Sequence, residues 1–257
     1  MKPKAIDLFA GPGGLSLGLS LSGFDIVGAV EWDSDAGATY RHNMGDHIHI
    51  GDIKDHSPKE MEKYLKDKGS IKRKSEIILI SGGPPCPGFS LIGRSKIANL
   101  IETGEWNGSD SRHAFIDDPR NQLFREFVAY VAYFKPKFFL MENVKGMVSY
   151  KNQQEVPIIT VIKKEFENLG YSVEARVLTA SEYGVPQNRQ RVIFVGTKGK
   201  KQRIRYPEPI GATISLRDAL EDLPPVSSLT GESVNEKLSP LRKIGLSDKG
   251  LFIRWVR

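Results

Sequence analysis

Cysteine is almost missing from this chain, for Cys86 is the only one. A lone thiol excludes internal disulfides and cysteine-rich zinc sites, so no metal is expected and a reducing cytoplasm fits. Long hydrophobic runs are missing too, since no stretch approaches the roughly 20 apolar residues of a membrane span. Met1-Lys2-Pro3-Lys4 leads straight into a strand-like segment, which leaves no room for a signal peptide. Internal repeats and low-complexity segments are likewise not evident. Neither sign of charge dominates: 37 Lys and Arg against 31 Asp and Glu leave a formal charge of +6. That mild excess permits a polyanionic partner without requiring one.

What is present suffices for a large core. With 257 residues, 39% of them apolar, the chain can form one large domain or one domain with an appendage. Through the first half, strand-like and helix-like segments alternate. Strands are expected at residues 5–10, 25–31, 47–50, 77–81 and 138–142, and helices at 15–22, 34–43, 58–68 and 121–134. This alternation predicts an α/β fold, a mostly parallel, doubly wound sheet with helices on both faces. A further helix over 156–169 stops at Gly170, and residues 172–179 and 191–197 read as two strands joined by a longer loop. Beyond Lys198 the pattern weakens, apart from a short helix over 215–223 stopped by Pro224-Pro225. Residues 1–197 are therefore expected to form one domain and 198–257 a linker or docking arm. The interval 91–119 lacks periodicity, and loops of that length often act as lids over a site.

Cys86 sits in Ser81-Gly82-Gly83-Pro84-Pro85-Cys86-Pro87-Gly88-Phe89-Ser90, directly after the apolar run Ile77-Ile78-Leu79-Ile80. A lone cysteine is ordinarily a small buried hydrophobe. Glycines and prolines on both sides make a poor core strand but a well-presented loop, at the sheet edge where open α/β folds bind ligands. Cys86 is therefore read as a nucleophile. The first strand opens into Gly11-Pro12-Gly13-Gly14, where glycines let the backbone approach a ligand and a helix start offers N–H groups. Gly11 and Gly13 match the first two positions of the dinucleotide fingerprint, but Ser16 stands at the third, which disfavours a nicotinamide oxidoreductase. Glu31, about 20 residues onward, is placed to accept from both ribose hydroxyls. Trp32 is placed to stack on an adenine, and Asp52 to accept from an exocyclic amine. Acids at successive strand ends are better explained by a nucleoside than by helix caps. Glu142 follows the apolar Phe138-Phe139-Leu140 and is expected at the same edge, near Cys86. Arg189 and Arg191, at i and i+2, are expected on one face of a strand.

Together these segments resemble the DNA (cytosine-5) methyltransferase family. Asp7-Leu8-Phe9-Ala10-Gly11-Pro12-Gly13-Gly14 resembles its cofactor motif, Pro85-Cys86 its nucleophile motif, and Glu142-Asn143-Val144 its acidic motif. The segment from Gln187 to Arg191 is similar to its arginine motif, and Asp118-Pro119-Arg120-Asn121-Gln122-Leu123-Phe124 to the segment opening its next helix. The matched order and spacing cover residues 4 to 197. The resemblance implies a Rossmann-like methyltransferase fold with an antiparallel strand pair on its C-terminal side. It implies S-adenosylmethionine contacts at Phe9, Gly11, Gly13, Gly14, Leu15, Glu31, Trp32, Asp52, Ile53, Pro84 and Leu123. It also implies catalytic roles for Cys86, Glu142, Arg189 and Arg191. One departure is local: many members carry Gln after the cysteine, and this chain carries Pro87.

The implied chemistry explains these residue types. Carbon 5 of cytosine is too weak a nucleophile until a thiolate adds at carbon 6, and a thiol near pKa 8.5 needs help from its site at neutral pH. Glu142 would bind or protonate ring N3, while Arg189 and Arg191 orient the carbonyl and nearby anionic groups. A stacked base is out of reach, so double-stranded DNA is the expected partner, with the target cytosine flipped out. Ser90, Arg94, Lys96 and Arg112 are expected on a loop that closes over it. The location implied is a prokaryotic cytoplasm, with nucleoid association when DNA is bound. No segment resembles the family's final motifs, and no room remains after Lys198 for a target-recognition domain. A second polypeptide carrying that domain is expected, since residues 213–226 still resemble the family. A tRNA cytosine-5 methyltransferase and an inactive methyltransferase-like DNA-binding subunit are the alternative readings. The presence of Cys86 and Glu142 disfavours the latter.

Overall fold

The computed structural model describes residues 2–85, 123–151, 156–199, 204–211 and 214–220. The chain divides into two compact units, residues 1–178 with 190–207 and residues 179–189 with 208–257. The first unit carries a seven-stranded sheet of order β3-β2-β1-β4-β5-β7-β6. Its strands are β1 (Lys4–Leu8), β2 (Asp25–Glu31), β3 (Ile48–Ile50), β4 (Ile77–Gly82), β5 (Phe138–Val144), β6 (Tyr171–Thr179) and β7 (Gln190–Lys198). The first five are joined by parallel pairings. β7 runs antiparallel to β5, with Phe138 opposite Thr197 and Val144 opposite Arg191. The sheet is thus the mostly parallel α/β sheet with an antiparallel pair that the sequence led us to expect.

Local chemistry sets the element boundaries. β1 ends at Leu8, two residues before the expected limit, because Phe9 takes the left-handed region at φ 56° and leaves the strand. Helix α1 (Gly14–Leu21) follows the glycine turn. Helix α2 (Ser34–Met44) starts at Asp33, whose side chain accepts from the N–H groups of Asp35 and Ala36. Helix α3 (Pro58–Asp67) has Pro at its first turn and a capping box between Ser57 and Glu60. Helix α4 (Phe124–Phe134) buries Phe124, Phe127, Tyr130, Val131 and Phe134, the apolar face its spacing predicts. Helix α5 (Ile158–Asn168) begins later than Val156, since Pro157 stands as its N-cap.

β1 sits between β2 and β4, so the chain leaves it toward one side and returns on the other. Such a switch point opens a crevice at the carboxyl ends of the strands. Aromatic packing holds the β5 side rigid. Phe139 stacks on Phe166 at 4.0 Å and meets Phe127 edge-on at 6.1 Å. The ring of Phe139 also lies across Gly196, its partner in register, where an added Cβ would fall 1.8 Å from Cε1.

In the second unit a 3-10 turn, Ala180–Tyr183, ends at Gly184 with φ 79°. A short helix, α6 (Leu216–Leu220), is opened by reciprocal hydrogen bonds between Ser215 and Asp218. Residues 221–223 of the expected helix and the rest of the tail lie outside the described residues. No described helix is long and apolar enough to cross a membrane.

Two glycines make opposite predictions. Gly196→Ala should lower stability by about 1–3 kcal/mol, because the methyl group overpacks against Phe139. Gly18→Ala, in α1 with nothing within 4 Å of the added Cβ, should raise it by about 0.5–1 kcal/mol. Urea unfolding midpoints that moved in the same direction for both would contradict this packing.

Candidate active site

The tip of β1 is shaped by alternating left-handed residues: Phe9 at φ 56°, Gly11 at 56° and Gly13 at 100°. For a bulky aromatic such a φ costs energy, and strain of this kind gathers at functional sites. Gly13 is needed for space as well, since a Cβ there would lie 3.0 Å from Met44 and 3.1 Å from Tyr40. Glu31, at the end of β2, accepts from Gly11 N–H at 2.7 Å through Oε2 and from Asp33 N–H at 2.9 Å through Oε1. Its carboxylate therefore organises the glycine turn, and with about four lone-pair sites it retains capacity for a ligand's hydroxyls. Asp52, after β3, caps the 3-10 turn Ile53–Asp55 by accepting from Lys54 N–H at 3.0 Å.

Between these tips lies a cavity of about 430 Å³. Six residues read from the sequence line it: Phe9, Glu31, Trp32, Asp52, Ile53 and Leu123. Gly83 and Pro85, from the glycine and proline segment before Cys86, line it too, with Val30, Gly51 and Lys54, which carried no sequence signal of their own. Trp32 is 77% exposed, so its ring is available to stack on a planar group. The remaining residues of the expected set do not line the cavity. Gly11, Gly13 and Gly14 form the turn and the start of α1 rather than the cavity wall. Leu15 packs against the cluster of Ala5, Leu19, Ile26 and Leu79. Pro84 presents its carbonyl to Asn143, whose Nδ2 donates to it at 2.9 Å.

Asn143 belongs to the acidic motif quoted from the sequence, where it carried no role of its own. It is buried, and its Oδ1 accepts from Val144 N–H at 2.8 Å, so the amide is fixed while it holds the segment two residues before Cys86. The preceding residue, Glu142, faces the same segment, for a Cβ on Gly83 would lie 3.3 Å from its Oε2. Across the antiparallel β5–β7 pair, Arg191 Nε donates to Glu142 Oε1 at 2.8 Å. The two side chains are 25% and 32% exposed. A partly open charge-assisted pair of this kind orients both groups toward the strand ends. Lys145 Nζ donates to Gln190 Oε1 at 2.8 Å beside it.

Two expectations need correction or a boundary. Arg189 does not share a strand with Arg191: β7 begins at Gln190, and Arg189 lies in the second unit, where its carbonyl accepts from Ala180 N–H at 2.8 Å. The start of the turn at 180–183 uses that backbone group, and β7 begins at Gln190, one residue before the expected start at 191. Cys86, Ser90, Arg94, Lys96 and Arg112 lie outside the described residues, which stop at Pro85 on this segment.

Comparison with known proteins adds independent findings. Residues 3–241 match the model of C-5 cytosine-specific DNA methylases. Type II methyltransferase M.DdeI of Desulfomicrobium norvegicum is 36% identical over 238 residues, 90% of this chain and 51% of that protein. Type II methyltransferase M.AquIA of Picosynechococcus is 35% identical over 215 residues, 81% of this chain and 77% of that protein. Among solved structures, a protein described as a DNA modification methyltransferase encoded within an E. coli prophage superposes with a TM-score of 0.64 at 30% identity. The alignment covers 87% of this chain and 56% of that one. The DNMT2 structure from Spodoptera frugiperda, at TM-score 0.60 and 22% identity over 85% of this chain and 60% of that one, shares the fold. The chain spans about half the length of curated relatives such as M.DdeI.

The cavity predicts a graded response to substitution, read by calorimetry with S-adenosylhomocysteine. Loss of a hydrogen bond to a charged acceptor costs about 1.5–3 kcal/mol, so Asp52→Ala should weaken binding roughly ten- to a hundred-fold. Glu31→Ala should cost more, because it also frees Gly11 N–H, and Glu31→Gln should fall between. Unchanged affinity in both alanine variants would place the ligand elsewhere.

Proposed function

The chain belongs to the C-5 cytosine-specific DNA methylase family, and from that premise we propose that it carries the catalytic part of a DNA cytosine-5 methyltransferase. Methyl transfer runs from S-adenosylmethionine to a cytosine flipped from duplex DNA, through a covalent adduct with Cys86. A second polypeptide supplies target recognition. One observation carries the reading: the nucleoside-sized cavity and the Glu142–Arg191 pair both abut Gly83, three residues before the only thiol.

The lining fits the cofactor. Two carboxylates offer acceptors suited to a ribose and an amine, an exposed indole offers a stacking face, and apart from Lys54 the remaining side chains of the wall are apolar. When bound, S-adenosylmethionine supplies a methyl group on a positively charged sulfur. The rest of the chemistry belongs to side chains of this chain. Cys86 thiolate would add to carbon 6 of cytosine, and the electron pair displaced onto carbon 5 would take up the methyl group as its bond to the sulfonium sulfur breaks, leaving S-adenosylhomocysteine. Glu142 hydrogen-bonds ring N3 and offsets the charge that develops during addition. Arg191, bonded to Glu142, holds that carboxylate in place. Loss of the carbon 5 proton to a base then lets the Cys86–carbon 6 bond break, returning the thiolate and releasing 5-methylcytosine. Arg189 is assigned to the base carbonyl or a nearby phosphate, and the segment with Ser90, Arg94, Lys96 and Arg112 to the DNA backbone.

Support for a separate recognition chain comes from composition. Residues 198–257 carry too little periodic apolar sequence for an independent reading domain. The tail, with Phe252 and Trp255, is assigned to docking the second chain.

Duplex DNA containing 5-fluorocytosine tests the covalent step, because fluorine cannot leave as a cation. A persistent adduct is expected with the wild type and none with Cys86→Ala, which still binds S-adenosylhomocysteine. An adduct in the variant would refute the mechanism. In methyl-transfer assays on defined duplexes, the chain alone should bind DNA weakly, in a salt-sensitive manner, with negligible turnover. The downstream gene product should restore sequence-specific methylation. Specific methylation by the chain alone would remove the need for a partner, and methylation of tRNA instead of DNA would reassign the substrate.

A further inference from the structure

Behind the cavity lies a buried polar chain that the proposed chemistry does not use. Asp7, on β1, has no exposed surface, and neither have Ser16, Ser81 and Tyr40. Its Oδ2 accepts from Ser16 Oγ at 2.6 Å and its Oδ1 from Ser81 Oγ at 2.8 Å. The Ser16 backbone N–H also donates to the carboxylate. Ser16 is the third residue of α1, whose own N-cap, Gly13, has no side chain to offer. Asp7 therefore caps α1 from the neighbouring strand, placing negative charge at the positive end of the helix.

Beyond Ser16 the chain continues. Ser16 Oγ lies 3.0 Å from Tyr40 Oη, and Tyr40 Oη lies 3.0 Å from His47 Nε2. An ionised Asp7 only accepts, which fixes the direction of every proton: His47 Nε2–H to Tyr40, Tyr40 to Ser16, Ser16 to Asp7. One carboxylate thus ties β1, β4 and α1 directly, and α2 and the approach to β3 through two hydroxyls.

Burial pushes the Asp7 carboxyl up to about 6, with the serine hydrogen bonds drawing it back down and Glu31 on β2 adding repulsion. The folded-state value lies above the unfolded one, so the folded chain holds an extra proton between about pH 4 and 6. This group consequently favours folding below that window and opposes folding above it. At neutral pH an apolar or neutral residue would be the more stable choice, so a charged one here points to function.

We propose that Asp7 is a positioning residue that couples the cofactor turn after β1 to the segment after β4 that leads into Cys86. Ser16 fixes the start of α1, and with it the turn from Phe9 to Gly13. Ser81 fixes the end of β4, and with it Gly82 to Pro85. A ligand that settles into the turn is then felt at the nucleophile segment through a single rigid joint. The proposal rests on the cofactor reading given above.

The single cysteine supplies the test, because any thiol reagent reports on Cys86 alone. The rate of Cys86 modification by a small aromatic disulfide is measured on the intact chain, with and without saturating S-adenosylhomocysteine, and binding is followed separately by calorimetry. In the wild type at about pH 7.5 the ligand should change the rate by on the order of fivefold. In Asp7→Asn and Ser81→Ala the ligand should still bind, and the change should shrink below about twofold. The wild-type ratio should also collapse near pH 5.5, as Asp7 takes up its proton, whereas the Asp7→Asn ratio should show no such collapse. Taking a ratio cancels the titration of the thiol itself.

Other titrating groups face this network and the cavity: Glu31 on β2, Tyr40 on α2, His47 with Asp25 and Asp46 near it, and the stacked rings of His49 and His56. Any pH effect of theirs survives in Asp7→Asn and so separates from that of Asp7. Full ligand-induced change in both variants, or none in a wild type that binds the ligand, overturns the proposal. A wild type that binds no ligand overturns the cofactor reading first and this inference with it. If Asp7→Asn does not fold, Ser81→Ala, which removes one hydroxyl, decides alone.

Discussion

Two parallel strands, β1 and β4, approach at their carboxyl ends so closely that only glycine fits between them. A Cβ on Gly82 would lie 2.3 Å from the carbonyl oxygen of Leu8, and Gly83 N–H donates to that same oxygen at 3.3 Å. From this contact the backbone diverges in two directions. One branch leaves through Phe9 into the glycine turn and α1, the other through Pro84-Pro85 into Cys86. The cavity exists because the branches separate, and its two chemistries adjoin because they start from one point.

The acids around the cavity are all engaged with backbone before any ligand arrives. Glu31 holds Gly11 and Asp33, Asp33 caps α2, and Asp52 caps its own 3-10 turn. Acceptors held this way lose little freedom on binding, which is the physical content of preorganisation. Trp32 is the exception, an exposed ring at the cavity mouth. β5, the neighbour of β4, is made rigid by packing, with Phe139 clamped between Phe166 and Gly196.

β7 gives the site its second half. By running antiparallel beside β5 it brings Arg191 diagonally onto Glu142, a pairing that a further parallel strand after a helical crossover would not set in the same register. Partly exposed ion pairs add little to stability. The value of this one lies in aiming a carboxylate, while Asn143 on the next position, facing inward, grips the Pro84 carbonyl. Alternation along one strand thus turns Glu142 to the partly open side and Asn143 to the buried side.

Much of this was legible in the sequence. The alternating apolar patterns determined the parallel sheet and its helices, since periods of 2 and 3.6 residues follow from backbone geometry alone. The glycine turn and the acids at strand ends marked the cavity, because strand tips are where such residues have nothing to pack against. Cavity-lining roles at Phe9, Glu31, Trp32, Asp52, Ile53 and Leu123 were all readable in this way. Other features needed the tertiary structure. Phe9 leaves β1 at a positive φ that no aromatic prefers by itself. Arg189 and Arg191 part company because a turn in the second unit uses the Arg189 carbonyl. Ser16 read as a defect in a fingerprint, yet it is the partner of a buried carboxylate. Asp7 and Ser81 stand 74 residues apart and meet only because β1 and β4 pair. Local sequence carries propensity and pattern, but hydrogen bonds between distant residues are chosen by which strands become neighbours.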